Sequence, residues 1–117
     1  MIIDTCVVYR WLKGTFDKPE LIQGEVTVSV VSIWEMHIKN RQGKLPLPSQ
    51  NLTELLMDYG FKLLPVSAWH AQTISTLPDY HKDPFDRMII AQAINERLKV
   101  ATYDRVFSQY LPDCLIC

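Results

Sequence analysis

The chain's 117 residues fit one compact domain, for which about 100–150 residues is common, so a single domain over 1–117 is expected. A hydrophobic share of 48% and a charged share of 21% exclude disorder, collagen-like repeats and coiled coil. The formal net charge of −1, from 12 basic and 13 acidic residues, argues against a protein that coats nucleic acid by bulk charge. It permits an enzyme with an acidic site and local basic patches.

No apolar run approaches the roughly 20 residues of a membrane span. The start, Met-Ile-Ile-Asp, lacks a basic stretch followed by a long apolar one, so a cytoplasmic protein with no membrane partner is expected. Met1–Asp4 is a short apolar run that stops at an acid. Thr5–Lys13 reads as a helix, with Gly14 in the position that closes one. The segment Glu25–Ser29 is β-branched and strand-like. From Val30 to Arg41 the residues Val31, Trp34 and Ile38 recur at helical spacing, and Gly43 ends the run. Pro46 and Pro48 mark a loop, Leu52–Tyr59 is a short helix closed by Gly60, and Lys62–Pro65 is a third strand. A helix follows over Ala68–Thr76. Asp83-Pro84 opens another, with proline at its favoured first position and Ile89, Ile90, Ala93, Ile94 and Leu98 as its apolar face. Val100–Tyr103 is a fourth strand, Asp104–Tyr110 a helical turn, and Cys114–Cys117 a last strand.

Strands alternating with helices imply parallel βαβ units with right-handed crossovers. The expected fold is a three-layer α/β/α sandwich around a mostly parallel sheet of about five strands. Cys114 and Cys117 have the spacing of a zinc or redox half-site, but no second Cys/His pair accompanies them. They are read as thiols of a terminal strand. His37, His70 and His81 show no metal-ligand spacing, so no zinc-hydrolase pattern is present. Trp11, Trp34 and Trp69 fall on helical stretches and read as core or dimer-interface residues.

In open α/β sheets ligands bind beyond the carboxyl ends of the strands. Four acids fall near such ends: Asp4, Glu35, Asp86 and Asp104. Each also has an ordinary explanation. Asp4 and Asp104 are placed to cap helices, Ser32 and Glu35 have capping-box spacing, and Asp86 suits the dipole of a first turn. Glu35 strains that explanation, because Val31, Trp34, Glu35 and Ile38 share one helix face. No lysine or arginine lies in that stripe within the first two turns, and a lone buried carboxylate is costly unless paired or bound to a cation. Acids gathered at one sheet edge would repel, and Mg²⁺, which prefers oxygen ligands, is the usual remedy.

Asp4-Thr5 after Ile2-Ile3, the run Val-Ser-Ile-Trp-Glu35-Met, the block Asp-Pro-Phe-Asp86-Arg-Met-Ile-Ile-Ala-Gln-Ala, and Ala-Thr-Tyr-Asp104 together resemble PIN domains. They are most similar to the ribonuclease toxins of VapBC toxin–antitoxin pairs. The resemblance implies a Mg²⁺- or Mn²⁺-dependent endoribonuclease, a homodimer, held inactive by an antitoxin. The implied reaction is hydrolysis of an RNA phosphodiester to a 5′-phosphate and a 3′-hydroxyl. Asp4, Glu35, Asp86 and Asp104 match the family's acidic set, and Asp4, Asp86 and Asp104 are the implied metal ligands. Glu35 would ligate through water or orient the nucleophile, with Thr102 and Thr5 supporting the carboxylates. Asp83 belongs to the matching segment without being read as a ligand. Lys39, Arg41, Lys44, Lys82, Arg87 and Arg105 would frame the phosphates, their ordinary role being a solvated rim. Cys6 stands where related toxins often carry histidine, and the stretch from Gly14 to Glu25 is short for the family.

Rival readings fare worse. An aspartyl phosphatase needs Asp-x-Asp after strand one, where position 6 is cysteine, and a receiver domain needs an aspartate ending strand three, where Pro65 stands. Gly43-Lys44 lacks the rest of a phosphate loop. A non-catalytic PIN-like module for dimerisation and partner binding is the alternative from another class.

Overall fold

Two adjacent isoleucines decide the layering. In a computed structural model describing residues Met1–Cys117, β1 (Ile2–Ile3) is the central strand of a five-stranded sheet. Successive strand side chains point to opposite faces, so Ile3 enters one buried cluster and Ile2 another. The remaining elements are α1 (Thr5–Leu12), β2 (Thr27–Ser29), α2 (Val30–Arg41), α3 (Leu52–Asp58), β3 (Lys62–Leu64), α4 (Ala68–Ile74), α5 (Pro84–Glu96), β4 (Val100–Thr102) and β5 (Leu115–Ile116). Short 3₁₀ turns cover Pro19–Leu21 and Arg105–Gln109. The first of these was not anticipated and lies inside the short first crossover.

The strand order is β3-β2-β1-β4-β5, and every neighbouring pair is parallel. Ile2 stands opposite Thr27 and Val100, and Ile3 opposite Val28 and Ala101. On the Ile3 face, Val7, Val8 and Leu12 of α1, Met36 of α2, and Leu52 and Leu56 of α3 close over Val28 and Ala101. On the Ile2 face, Ile89, Ile90 and Ala93 of α5 pack with Val100, Phe107 and Leu111, and α4 packs against α5. This is the expected three-layer sandwich, with a sheet that is wholly parallel. No helix is long and apolar enough to cross a membrane.

The glycines expected to stop helices do so. Gly14, Gly43 and Gly60 adopt φ of +73°, +73° and +86°, the left-handed conformation that lets a chain leave a helix and that glycine enters without a Cβ penalty. Two apolar readings need correction. Ile94, placed on the buried face of α5, is 43% exposed, because it lies one residue, about 100° of helix, beyond the buried Ala93. Trp34 is 61% exposed, and the face of α2 that is buried runs through Val31, Ser32, Glu35 and Met36. Trp69 is exposed as well. Trp11 alone of the three tryptophans packs inward, against Phe16 and Phe61.

The order 3-2-1-4-5 reverses direction at β1. The chain builds outward through β2 and β3, then returns to the other side of β1 with β4. That reversal leaves a crevice beyond the carboxyl ends of β1 and β4. Since Ile2 and Ile3 are fully buried on opposite faces, Ile2→Ala and Ile3→Ala should each cost about 2–5 kcal/mol, read as a lower midpoint in urea unfolding.

Candidate active site

Asp4 follows β1 and caps α1. Its Oδ1 accepts from the Val7 N–H at 3.0 Å, and its Oδ2 accepts from the Thr102 hydroxyl at 2.5 Å. A simple cap is solvated, whereas Asp4 is 4% exposed. Its carboxyl is pushed above the ordinary value, first by burial and then by the charges of Asp104 and Glu35, against the lowering effect of its two hydrogen bonds. Thr102 thus supports a carboxylate as expected. Thr5 does not, because its hydroxyl pairs with Ser32 Oγ at 2.8 Å.

The capping-box explanation of Glu35 fails. Ser29 caps α2, with its Oγ accepting from the Val31 N–H at 3.1 Å, so Glu35 sits in the second turn. It is 4% exposed. Its Oε2 accepts from Lys39 Nζ at 2.6 Å, while Oε1 is buried without a partner. The absence of a cation in the first two turns did not leave Glu35 unpaired, since Lys39 reaches back four residues to it. The hydrogen bond to Glu35 in turn raises the pKa of the Lys39 ammonium.

Asp83, not Asp86, caps α5. Its Oδ1 accepts from the N–H groups of Phe85 and Asp86 at 2.8 and 3.2 Å. That leaves the Asp86 side chain free to face the crevice, where Oδ2 lies 2.9 Å from His81 Nε2. Burial, then repulsion from Asp83 and Asp4, pushes the Asp86 carboxyl from 3.8 up to about 7, although His81 pulls it down. Asp104 caps the second 3₁₀ turn through Oδ1, which accepts from the Val106 N–H at 2.9 Å. Its Oδ2 is 3.0 Å from the same His81 nitrogen.

All four sequence-identified acids line one open cleft of about 390 Å³, together with Thr5, Cys6, Tyr9, Asp83, Tyr103 and Lys39. His81 has no metal-ligand spacing in the sequence, yet one ligand atom each from His81, Asp86 and Asp104 falls within a 4.8 Å group. No local pattern announces it, because the Asp104 contact spans 23 residues. Arg41, Lys44, Lys82 and Arg105 are exposed, in keeping with a rim. Arg87 is not part of that rim. Its guanidinium donates to the carbonyls of Pro78 and His81 and to the Tyr110 hydroxyl at 2.9, 3.2 and 3.3 Å, and so shapes the loop that carries His81.

The PIN domain family model matches residues 1–110. The chain belongs to the PIN domain family. Among solved structures, this PIN domain is similar to a toxin–antitoxin complex from Klebsiella pneumoniae, with TM-score 0.71, 18% identity, and 97% of this chain and 94% of that one covered. It is also similar to FitAcB from Neisseria gonorrhoeae (0.68, 17%, 100% and 97%). VapBC2 from Rickettsia felis, bound to a DNA fragment from its promoter, follows (0.65, 16%, 100% and 98%). No curated protein matches the chain. At these identities the likeness is one of fold.

Crowding at Asp86 has a consequence for stability. Below the ordinary value of 3.8 its carboxyl is protonated in folded and unfolded chains alike, and its contribution to stability is whole. As pH rises toward about 7 the unfolded chain releases the proton while the PIN domain retains it, so that contribution is progressively lost. Asp86→Asn should therefore flatten this part of the pH–stability curve. In thermal melts with EDTA it should raise the melting temperature at about pH 8 and change it little at about pH 3, where the Asp86 carboxyl is largely protonated in folded and unfolded chains alike.

Proposed function

We propose that this PIN domain is a divalent-metal-dependent endoribonuclease and the toxin of a toxin–antitoxin pair. The observation that carries the nuclease reading is the buried, unpartnered Glu35 Oε1, in a cleft with Asp4, Asp86 and Asp104. An orphaned buried carboxylate oxygen is costly, and a hard cation with oxygen ligands satisfies it. The donor set is carboxylate with one imidazole nearby, which fits Mg²⁺ or Mn²⁺.

Asp4, Asp86 and Asp104 would hold the ion, and Glu35 would present Oε1 to it or to its water. When bound, the ion lowers the pKa of a water and stabilises charge on the phosphate. The protein's own contribution is to hold these groups still. Thr102 and the Val7 N–H fix Asp4, the Val106 N–H fixes Asp104, and Asp83 fixes the first turn that carries Asp86. Lys39, at the cleft, balances part of the negative charge. Exposed Arg41, Lys44, Lys82 and Arg105 supply positive charge for RNA phosphates, which acids alone would repel.

The toxin reading draws on the toxin–antitoxin complexes among the similar folds. An apolar groove of about 450 Å³ lined by Val30, Trp34, Val66, Ile74, Phe85 and Met88 suits protein partners, an antitoxin or a second copy in a homodimer.

Purified protein free of any partner should cleave RNA with Mg²⁺ or Mn²⁺ and stop on addition of EDTA; cleavage that persists in EDTA would sink the metal mechanism. Asp4→Asn, Asp86→Asn and Asp104→Asn should each lower the rate by more than the roughly 10–100-fold typical of a group next to a ligand. Asp83→Asn should lose less, because asparagine caps about as well as aspartate. Expression in a bacterial host should arrest growth in the wild type and not in Asp86→Asn, as followed by colony counts.

A further inference from the structure

We propose that His81 is a positioning residue of this site. Its Nε2–H donates to Asp104 Oδ2 while Asp86 Oδ2 contacts the same nitrogen, so that the ring sets the gap between the two carboxylates for the cation and does not itself ligate the metal. The inference rests on the metal-dependent reading above and adds a residue outside the four acids.

Three observations define the role. First, Nε2 lies 2.9 Å from Asp86 Oδ2 and 3.0 Å from Asp104 Oδ2, so one ring atom touches acids from two separate elements. Second, the other ring nitrogen is committed: Nδ1 accepts from the Asp83 N–H at 3.2 Å. A ring nitrogen that accepts carries no proton, so in this geometry the ring proton sits on Nε2, facing the two carboxylates. A protonated nitrogen donates and has no lone pair for a metal. Ligation through Nε2 would move the proton to Nδ1 and set it against the Asp83 N–H. That would disturb the residue that caps α5 and carries Asp86 in its first turn.

Third, the ring is held from outside the acid cluster. The His81 N–H donates to the Tyr110 hydroxyl at 2.8 Å, and that hydroxyl donates to the Pro78 carbonyl at 2.6 Å. Arg87 donates to the His81 carbonyl, and the ring packs edge-on to the buried Phe107. The imidazole is therefore a fixed donor. Hydrogen-bond partners of ligating carboxylates orient the ligands, and their loss typically weakens metal binding about 10–100-fold.

The probe is Mn²⁺, followed by the electron paramagnetic resonance signal of the free ion, with circular dichroism melts to verify folding. Gln is the conservative replacement, because its amide nitrogen reaches about as far as Nε2 and donates; Leu removes the donor. Wild type and His81→Gln should bind Mn²⁺ within a few-fold of each other, and His81→Leu about 10–100-fold more weakly. Spin-echo spectra of Mn²⁺ on the wild type should show no directly coordinated imidazole nitrogen. A coordinated-nitrogen signal, equal affinity in His81→Leu, or a loss in His81→Gln as large as in His81→Leu would each overturn the positioning role. Should His81→Leu fail to fold, the spectrum and the glutamine variant still decide. Failure of the wild type to bind Mn²⁺ at all would instead remove the metal-dependent reading, and this role with it.

Discussion

The Thr102 hydroxyl joins the two strands on which the site depends. Thr102 closes β4, the parallel neighbour of β1. Its hydroxyl donates to Asp4 Oδ2 and accepts from the Asp104 N–H at 2.9 Å. Two acids 100 positions apart in the chain are thereby referred to one atom. The Asp4 N–H, bonded to the Ala101 carbonyl at 3.1 Å, secures the same register from the backbone. A strand as short as Ile2–Ile3 tolerates no slip, since moving it by one residue would exchange the two isoleucines between opposite faces. Packing of the core and placement of Asp4 are the same constraint.

Charge crowding is the other side of that arrangement. Asp4, Glu35, Asp83, Asp86 and Asp104 line the cleft with Lys39 as its one cation. Backbone N–H groups answer one oxygen each of Asp4, Asp83 and Asp104, Lys39 answers one of Glu35, and His81 stands between Asp86 and Asp104. Burial first, and then the repulsion that remains, raises the proton affinity of Asp4 and Asp86, and one Glu35 oxygen stays unpartnered. Structures that gather like charges in this way are commonly functional sites, because folding alone gives no reason to maintain the repulsion. The same elements that carry Glu35 and Asp86 also carry the exposed Trp34 and the half-buried Phe85, which meet edge-on at 5.1 Å between ring centres. The acidic cleft and the apolar groove are thus held by the same two helices.

Much of the fold was legible because its rules are local. Helix α2 spans Val30–Arg41, the range read from apolar spacing and Gly43. The other strands and helices fall within a few residues of their expected bounds, as caps, prolines and left-handed glycines act over three or four residues. The four acids were legible for the same reason, each following a strand or opening a helix. What misled was the attempt to choose a face: Trp34 and Ile94 fit a stripe by periodicity, but a helix at the edge of a layer buries only the sector its neighbours cover.

The sequence by itself determined the α/β alternation, the helix stops and the positions of Asp4, Glu35, Asp86 and Asp104. Tertiary structure decided what those acids touch. Pairing of Lys39 with Glu35 required knowing which face of α2 was buried. Placing His81 required the path of the loop from Pro78 to Lys82, which Tyr110 holds through contacts of 29 and 32 residues' separation and Arg87 through its bonds to the Pro78 and His81 carbonyls. Arg87, which reads in the sequence as one more rim cation, is committed instead to backbone carbonyls. Side chains reach their immediate neighbours by helical or strand geometry alone, but which distant loop comes to lie beside them is fixed only when both faces of the sheet are packed.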